Sequence, residues 1–383
     1  MRKVVLIFGT RPEAIKLAPV VDQLKKQSSN FETIVCVTAQ HREMLDQVLG
    51  LFQIVPDYDL NIMKSGQNLF DVTTRALARI GNVLREEKPE LVLVQGDTTT
   101  SFVGSLAAYY LKIAIGHVEA GLRTYNKYSP FPEEINRHMT GVLADYHFAP
   151  TEWAKNNLLR ENVPQDRIWI TGNTVIDALF MITKRHEDPH RRQYWSKMLS
   201  TKWSLTTDDG QKLILVTGHR REHFGKTFRN ICAALKQIAV KRKDITIVYP
   251  VHLNPNIQEP VKDILKDQPN IRLLPPLEYE AFTFLMSCSD IILTDSGGIQ
   301  EEAPSLGKPV LIMRETTERP EGIEAGTAKL IGTERAKIVN HVLELLENEA
   351  LYETMSTATN PYGDGRAAER IVSELENLET LNR

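Results

Sequence analysis

The chain has 383 residues, 42% of them hydrophobic and 25% charged, with a formal net charge of −3 and an isoelectric point near 6.4. That length allows two domains, each with its own core, while the charge balance leaves no basic face for nucleic acid and no Lys/Arg tract for an anionic membrane. Cys36, Cys232 and Cys288 lie far apart in apolar segments, the opening MRKVVLIFG is broken by Gly9, Arg11 and Glu13, and no run reaches membrane-spanning length, so a soluble cytoplasmic protein with reduced thiols is expected.

In chain order, the apolar runs KVVLIFG (3–9), TIVCVTA (33–39), LVLVQGD (91–97), AIGHVEA (114–120) and YHFAP (146–150) alternate with stretches of helical spacing. That alternation predicts an α/β fold around a parallel sheet. Asn68 to Lys88 puts Leu69, Val72, Ala76, Ile80 and Val83 on one side, the pattern of a helix covering a sheet. The strands are nearly all apolar, as strands covered on both faces must be. After IWITG (168–172) and a helix from about Thr174, the chain turns charged and is expected to run irregularly through HEDPHRRQYWSKMLSTKWSLTTDDGQK (186–212), near the domain boundary. The alternation then restarts with LILVTGH (213–219) and a helix carrying Phe228, Ile231, Cys232, Leu235 and Ile238 on one stripe. TIVYPVH (246–252), IRLLPP (271–276), DIILTDS (290–296) and PVLIM (309–313) complete a second α/β sheet, without a residue-level repeat of the first.

Ligands of open α/β sheets bind beyond the carboxyl ends of strands, and two such domains facing each other form a cleft. Seven polar motifs lie at strand ends: GTRPE, TAQHRE, GDTTT, HVEAGLRT, TGHRREHFG, PVHLNP and TDSGGIQEE. GTRPEAIK (9–16) puts Gly9 at the turn and Pro12 at a first helical position, with Arg11 and Lys16 where both could reach one anion; a capped surface helix with solvated charges fits the same residues. TDSGGIQEEA (294–303) offers similar chemistry. Its DSGG also surrounds the reactive serine of chymotrypsin-like proteases, but a nucleophile needs a base and an oxyanion site on a suitable scaffold, and this chain is no all-β barrel. Ser296 is therefore read as a helix cap or phosphate donor, with Glu301 and Glu302 on the first turn favouring the macrodipole or, for one of them, accepting from ribose hydroxyls.

HRREH (219–223) has the spacing of an inverted zinc-protease motif, which needs a helix; Gly218 and Gly225 bracket a loop, so no metal is inferred. His186 and His190 repeat the spacing with Pro189 between them and read as linker. YGDGRAAE (362–369) satisfies G-x-G-x-x-A without a preceding strand, and SLGKP (305–309) lacks the Ser or Thr after Lys of a P-loop, so neither NAD nor a P-loop is inferred. There remain Asp97 and Glu119 at strand ends, and Glu133 and Glu134 opening a helix after TYNKYSPFP (124–132); Glu134 best suits a solvated surface acid. Carboxylates beside cations and helix N-termini suggest a nucleotide sugar.

Together GTRPEAIK, TAQHREMLDQ, GDTTT, GHVEAGLRT, SPFPEEINR, GNTVIDAL, YPVHLNP, LTDSGGIQEEAPSLGKPV, TERPEG and NPYGDG resemble, in order from residue 9 to 365, the signatures of the non-hydrolysing UDP-N-acetylglucosamine 2-epimerases. The resemblance implies a GT-B-like fold, two Rossmann-like doubly wound parallel-sheet domains facing a central cleft, and a homodimer. The domains are then expected at 1–172 and 173–365, with a helix in 366–383 packing back on the first. The C2 proton of a pyranosyl phosphate is not next to a carbonyl, so inversion there needs oxidation by a nicotinamide or expulsion of UDP from C1. The missing NAD fingerprint favours expulsion. In the family's mechanism, anti elimination gives 2-acetamidoglucal and UDP, which re-adds after protonation of the opposite face of C2, yielding UDP-N-acetylmannosamine without a cofactor.

By matching motif, the resemblance implies Asp97, Glu119 and Glu133 as acid/base and cation-stabilising carboxylates, with His219 assisting near the diphosphate. Arg11 and Lys16 would serve sugar and phosphate, Ser296 and Gly297 with Arg220 would hold phosphate, and Gly298 and Arg319 would complete the substrate-binding set. Glu302 would take the ribose and Phe282 would lie against uracil. Family members can bind a second substrate molecule as an activator at positions matching Gln40, Arg220 and His252; Glu43 and Gly66 stand here where some have Gln and Arg, and His223 replaces the last residue of a loop that often reads RREN or RRES. A hydrolysing epimerase, a GT-B glycosyltransferase and a catalytically silent UDP-sugar sensor are the competing readings.

Overall fold

Seven parallel strands make the first sheet: β1 (Arg2–Phe8), β2 (Phe31–Val37), β3 (Tyr58–Asp59), β4 (Leu91–Gln95), β5 (Ala114–Val118), β6 (Tyr146–Ala149) and β7 (Ile168–Ile170), in the order β3-β2-β1-β4-β5-β6-β7. A second sheet holds β8 (Lys212–Thr217), β9 (Ile245–Pro250), β10 (Ile271–Leu274), β11 (Ile291–Thr294), β12 (Val310–Ile312) and β13 (Ala328–Leu330), in the order β10-β9-β8-β11-β12-β13. Both are the Rossmann order, in which the chain winds outward from its first strand and then returns to that strand's other side. The computed structural model describes residues 1–39, 42–64, 66–206, 210–218, 220 and 223–378. These form two units, Met1–Ala178 with the chain from Tyr362 onward, and Leu179–Pro361.

The predicted strands are found, and their composition follows from double coverage. Val4 to Phe8 of β1 have no exposed surface, with Val5 lying between Ile34 of β2 and Val92 of β4. Helices Leu69–Glu87 and Thr99–Tyr110 close one face through Val72, Ala76, Ile80, Val83, Val103 and Ala107. Leu69, expected on that packed side, is instead 42% exposed at the helix's first position. In the second unit, the predicted stripe of helix Lys226–Lys241 is buried from Phe228 to Ile238.

The expectation of an irregular segment through 186–212 is overturned as far as Trp203. Lys184–Glu187 is a 3₁₀ turn and Pro189–Trp203 a continuous helix, started by Asp188, whose side chain accepts from the His190 N–H at 3.0 Å. Only Trp195 and Leu199 of this helix are buried, so its apolar periodicity was too sparse to stand out among the charges. The start signal was nonetheless legible as Asp-Pro at the cap and first helical positions. His186 is no linker residue in solvent; it is 6% exposed and edge-on to the Phe284 ring.

The glycine pair of YGDGRAAE opens helix Ala367–Asn377, and helix Glu349–Thr357 precedes it rather than a strand. Where a dinucleotide's phosphate would sit in a true fingerprint, the Asp177 carboxylate accepts from the Ala367 and Ala368 N–H groups at 3.1 and 2.8 Å. Asn173 N–H donates to the Tyr362 carbonyl at 2.7 Å, and a Cβ on Gly172 would stand 3.3 Å from Gly363 Cα. Among the described residues, no helix is long and apolar enough to cross a membrane.

Burial lifts the Asp177 carboxyl from 3.8 to about 6, against the pull of the two donated N–H bonds. Between those values the folded state holds a proton that the unfolded chain has released, so this group's stabilising contribution is present in acid and lost as pH rises through about 6. The melting temperature of the wild type should therefore gain on that of Asp177→Asn as pH falls from about 7 to about 4. A difference independent of pH in paired thermal melts would refute this.

Candidate functional site

The site-forming part of the first unit begins at the turn after β1. Gly9 is obligatory there, because a Cβ would lie 1.9 Å from Thr38 Oγ1. Helix Arg11–Lys26 follows, and its Glu13, 1% exposed, collects five hydrogen bonds. Gly9 N–H, Thr10 N–H and Thr10 Oγ1 donate to Oε2 at 3.1, 2.8 and 2.7 Å, while Thr98 Oγ1 and Ser101 Oγ donate to Oε1 at 2.7 and 3.0 Å. One carboxylate thus ties the turn carrying Arg11 to the GDTTT turn carrying Asp97. Burial raises its pKa, opposed by the Thr98, Thr10 and Ser101 hydroxyls and the Gly9 N–H. Sequence reasoning passed over Glu13, although Thr10-x-x-Glu13 is a legible capping box.

Beyond β4, Gly96 adopts φ +69° and is bound on both sides to β5: its N–H donates to the Val118 carbonyl at 3.0 Å, and its carbonyl accepts from His117 Nε2 at 2.7 Å. Burial holds the His117 imidazole down to about 3, so it is neutral and its proton is on Nε2. Asp97 comes next. Its carbonyl accepts from Asn136 Nδ2 at 3.1 Å and its carboxylate is ion-paired with Arg137. On the adjacent strand, Glu119 follows β5 with φ +63°, a strained conformation for a non-glycine residue and one that clusters at functional sites. Its Oε1 accepts from Lys16 Nζ at 2.5 Å and Asn173 Nδ2 at 2.9 Å, and its Oε2 from Gln95 Nε2. A Cβ on Gly96 would lie 3.4 Å from Glu119 Oε2, so the two predicted carboxylates occupy neighbouring strand ends.

The Glu133–Glu134 pair reverses one expectation. Glu134 is not a solvated acid but 1% exposed, accepting from the Thr124 and Tyr125 N–H groups at 2.9 and 2.8 Å, with Arg137 Nη1 at 3.4 Å. The preceding loop folds back over the start of helix Glu133–Leu143 and needs an acceptor there. Glu133 is the half-buried member and takes no hydrogen bond from the described residues. Arg11 is half-buried at the first position of its helix.

In the second unit, Ser296 stands at the cap of the short helix Gly297–Glu302, but its hydroxyl makes no capping bond. A Cβ on Gly297 would be 2.4 Å from Arg319 Nη1, whereas one on Gly298 would meet nothing within 4 Å. Glu301 and Glu302 close this helix rather than open it, so the first-turn placement was wrong, and their charges are met individually. Arg319 Nε donates to Glu301 at 2.5 Å and the Tyr279 hydroxyl to Glu302 at 2.5 Å. Phe282, on helix Tyr279–Cys288, is half-buried against the core. Arg220 donates from N and Nε to Asp295 Oδ2 and O at 3.0 and 2.9 Å and from Nη2 to Glu318 at 2.9 Å. His223 is 4% exposed with Nδ1 3.3 Å from Asp295 Oδ2.

His219 and Gln40 lie outside the described residues, as do Arg221 and Glu222 of the HRREH stretch. Among the described residues, no three His, Cys, Asp or Glu side chains come together as a metal site. Glu43 and His252 are exposed, the first on helix Arg42–Leu51 of the first unit and the second beyond β9 of the other. Besides Glu13, sequence reasoning missed Asn173, Arg137, Tyr279 and Glu318, which pair with the predicted Glu119, Asp97, Glu302 and Arg220 from distant segments, and Arg314, which joins Glu318; spacing cannot reveal such pairings. The first unit thus offers fixed carboxylates with matched cations, and the second a group of guanidiniums beside free-standing hydroxyl and glycine positions, suited to phosphate.

A family profile described as UDP-N-acetylglucosamine 2-epimerase matches residues 22–376. The UDP-N-acetylglucosamine 2-epimerase of Escherichia coli K12 is 58% identical over 377 residues, 98% of each chain. The crystal structure of UDP-GlcNAc 2-epimerase from Neisseria meningitidis, bound to UDP-GlcNAc, matches with a TM-score of 0.92 at 51% identity, covering 98% of this chain and 100% of that one. The Methanocaldococcus jannaschii UDP-GlcNAc 2-epimerase in complex with UDP-GlcNAc and UDP matches with a TM-score of 0.80 at 35% identity, with the same coverage.

Removing the Glu13 carboxylate leaves two buried N–H donors unanswered, so Glu13→Ala should cost about 2–4 kcal/mol of folding stability in denaturant titrations. Glu13→Gln should cost less than about half of that, because the Thr98 and Ser101 hydroxyls can turn to accept from an amide. Equal losses for the two variants would contradict the bonding described.

Proposed function

The chain belongs to the UDP-N-acetylglucosamine 2-epimerase family, and from that premise we propose that it interconverts UDP-N-acetylglucosamine and UDP-N-acetylmannosamine without releasing the free sugar. The observation that carries this reading is the pair of cation-matched carboxylates, Asp97 and Glu119, at adjacent strand ends. Such a pair suits a reaction in which a proton leaves C2 while positive charge develops at C1.

The roles divide by bonding. Glu119 has both oxygens filled by donors and a side chain only 5% exposed, which suits a fixed negative charge facing an oxocarbenium-like C1. Asp97, 28% exposed, and the half-buried Glu133 suit the exchange of protons at the two faces of C2. Departure of UDP breaks the C1–O bond as the C2 proton is lost, leaving the glucal; return of a proton to the other face of C2 and of the UDP oxygen to C1 completes the inversion. Lys16 and Arg11 would meet the sugar and its phosphate, with His219 assisting; Ser296, Gly297, Gly298, Arg220 and Arg319 would hold the diphosphate, Glu302 the ribose and Phe282 the uracil face. Gln40, Glu43, Arg220 and His252 would bind a second, activating nucleotide sugar.

The product would supply N-acetylmannosamine for cell-surface polysaccharide, made in the cytoplasm. A homodimer is supported by Ile135, Met139 and Val142, which form an exposed apolar stripe at helical spacing on helix Glu133–Leu143, 44%, 43% and 83% exposed. Met139→Glu should shift the mass in light scattering toward that of one chain; an unchanged dimer would move the interface elsewhere.

Incubation with UDP-N-acetylglucosamine in deuterated water should give both nucleotide sugars with deuterium at C2. Sustained UDP release without an epimeric nucleotide sugar would replace this reading with hydrolysis, and dependence on an added acceptor would point to a glycosyltransferase. Asp97→Asn and Glu119→Gln should each lower turnover by about two orders of magnitude or more with UDP affinity within about threefold of wild type.

A further inference from the structure

Three guanidinium groups of the second unit, one from beyond β8 and two from the loop after β12, converge on Glu318, a residue of TERPEG to which the sequence reading gives no role. Glu318 Oε1 accepts from Arg220 Nη2 at 2.9 Å and Arg319 Nη1 at 2.8 Å, and its Oε2 accepts from Arg314 Nη1 at 2.6 Å. Arg220 follows β8, Arg314 follows β12, and Arg319 caps helix Pro320–Glu324. All three side chains are largely withdrawn from water, at 28%, 8% and 12% exposure, and Glu318 is 22% exposed among them. Like charges drawn together in a poorly solvated place repel strongly unless an anion stands between them. Burial by itself would raise the Glu318 carboxyl, but Arg319, Arg220 and Arg314 outweigh it and hold the group far below the usual carboxylate range, so the anion is present at neutral pH.

We propose that Glu318 is a positioning residue for the diphosphate, gathering Arg220, Arg314 and Arg319 into one preorganised arc beside Gly297. The inference rests on the UDP-sugar reading above. Arg319 is steered from two sides, by Glu318 and by Glu301, into the place that a Gly297 side chain would otherwise take. Arg220 is likewise pinned between Glu318 and the Asp295 carbonyl. Phosphate oxygens therefore meet guanidiniums already in place, with less side-chain freedom to lose on binding. The opposite idea, that Glu318 merely competes with phosphate for these donors, predicts tighter binding once it is neutralised.

Calorimetric titration of the full chain with UDP and with uridine separates the two. Glu318→Gln, nearly isosteric, should weaken UDP binding by about tenfold or more while uridine binding changes by less than about twofold. The KM for UDP-N-acetylglucosamine should rise by a similar factor with kcat within about threefold, because the diphosphate is gripped before and after the glycosidic bond breaks. Glu318→Asp, which keeps the charge, should bind UDP more tightly than Glu318→Gln. Unchanged or tighter UDP binding in Glu318→Gln, an equal loss for uridine, or the reverse order of the two variants would overturn the proposal. A wild-type protein that binds no UDP would sink the UDP-sugar reading itself, and this inference with it.

Discussion

A carboxylate shut away from water at the end of a buried strand has to be met by positive charge and donated hydrogen bonds, and much of the first unit follows from how Glu119 is met. Lys16 reaches it from helix Arg11–Lys26, Gln95 from the end of β4 and Asn173 from beyond β7. Each donor fixes a different segment to one point. Lys16 can serve only because its helix starts where it does, and that start is set by Glu13 and by the glycine turn that lets the backbone pass Thr38. The Asp97 turn hangs from the same framework through Thr98, Ser101 and the neutral His117. The strained backbone of Glu119 persists because three donors and the strand pairing over-determine it.

The second unit solves the converse problem. Here guanidiniums are the groups being ordered, and acceptors fix them: Glu301 and Glu318 for Arg319, Glu318 again for Arg314, and the Asp295 carbonyl with Glu318 for Arg220. In each unit buried charges are held by opposite charges and donated hydrogen bonds from separate segments, so that their geometry is set by a surrounding shell. The glycines contribute by absence. Gly297 yields its side-chain volume to a guanidinium and Gly298 leaves space open.

The architecture was legible because buried parallel strands must be apolar on both faces, and runs such as KVVLIF and DIILT say so without help from distant residues. Site positions were legible where the backbone demanded a special residue at a strand end. Helix Pro189–Trp203 escaped because only two of its side chains are buried, which is too few to set a period. The placement of Glu301 and Glu302 failed because the helix already starts at Gly297, which puts them at its fifth and sixth positions, past the first turn. Glu134 was misplaced in solvent because which residue of a helix start turns inward depended on the loop that came back to donate to it. Asn173 to Glu119, Glu13 to Thr98 and Ser101, and Glu318 to Arg220 are bonds between segments far apart in sequence, which no local pattern records.

The helix at Ala367–Asn377 belongs to the first unit although Leu179–Pro361 intervenes, and it is fastened there by the Asp177 carboxylate and by the Arg2 guanidinium, which donates to the Leu378 carbonyl at 2.7 Å. During synthesis this ordering matters. The half that begins first is finished last: the Arg2 side chain at its first strand waits for carbonyl partners more than 350 residues later, whereas the uninterrupted stretch in between has all its pieces in hand earlier. A chain cut before Ala367 would therefore keep the whole of Leu179–Pro361 but leave the first unit without its closing helix.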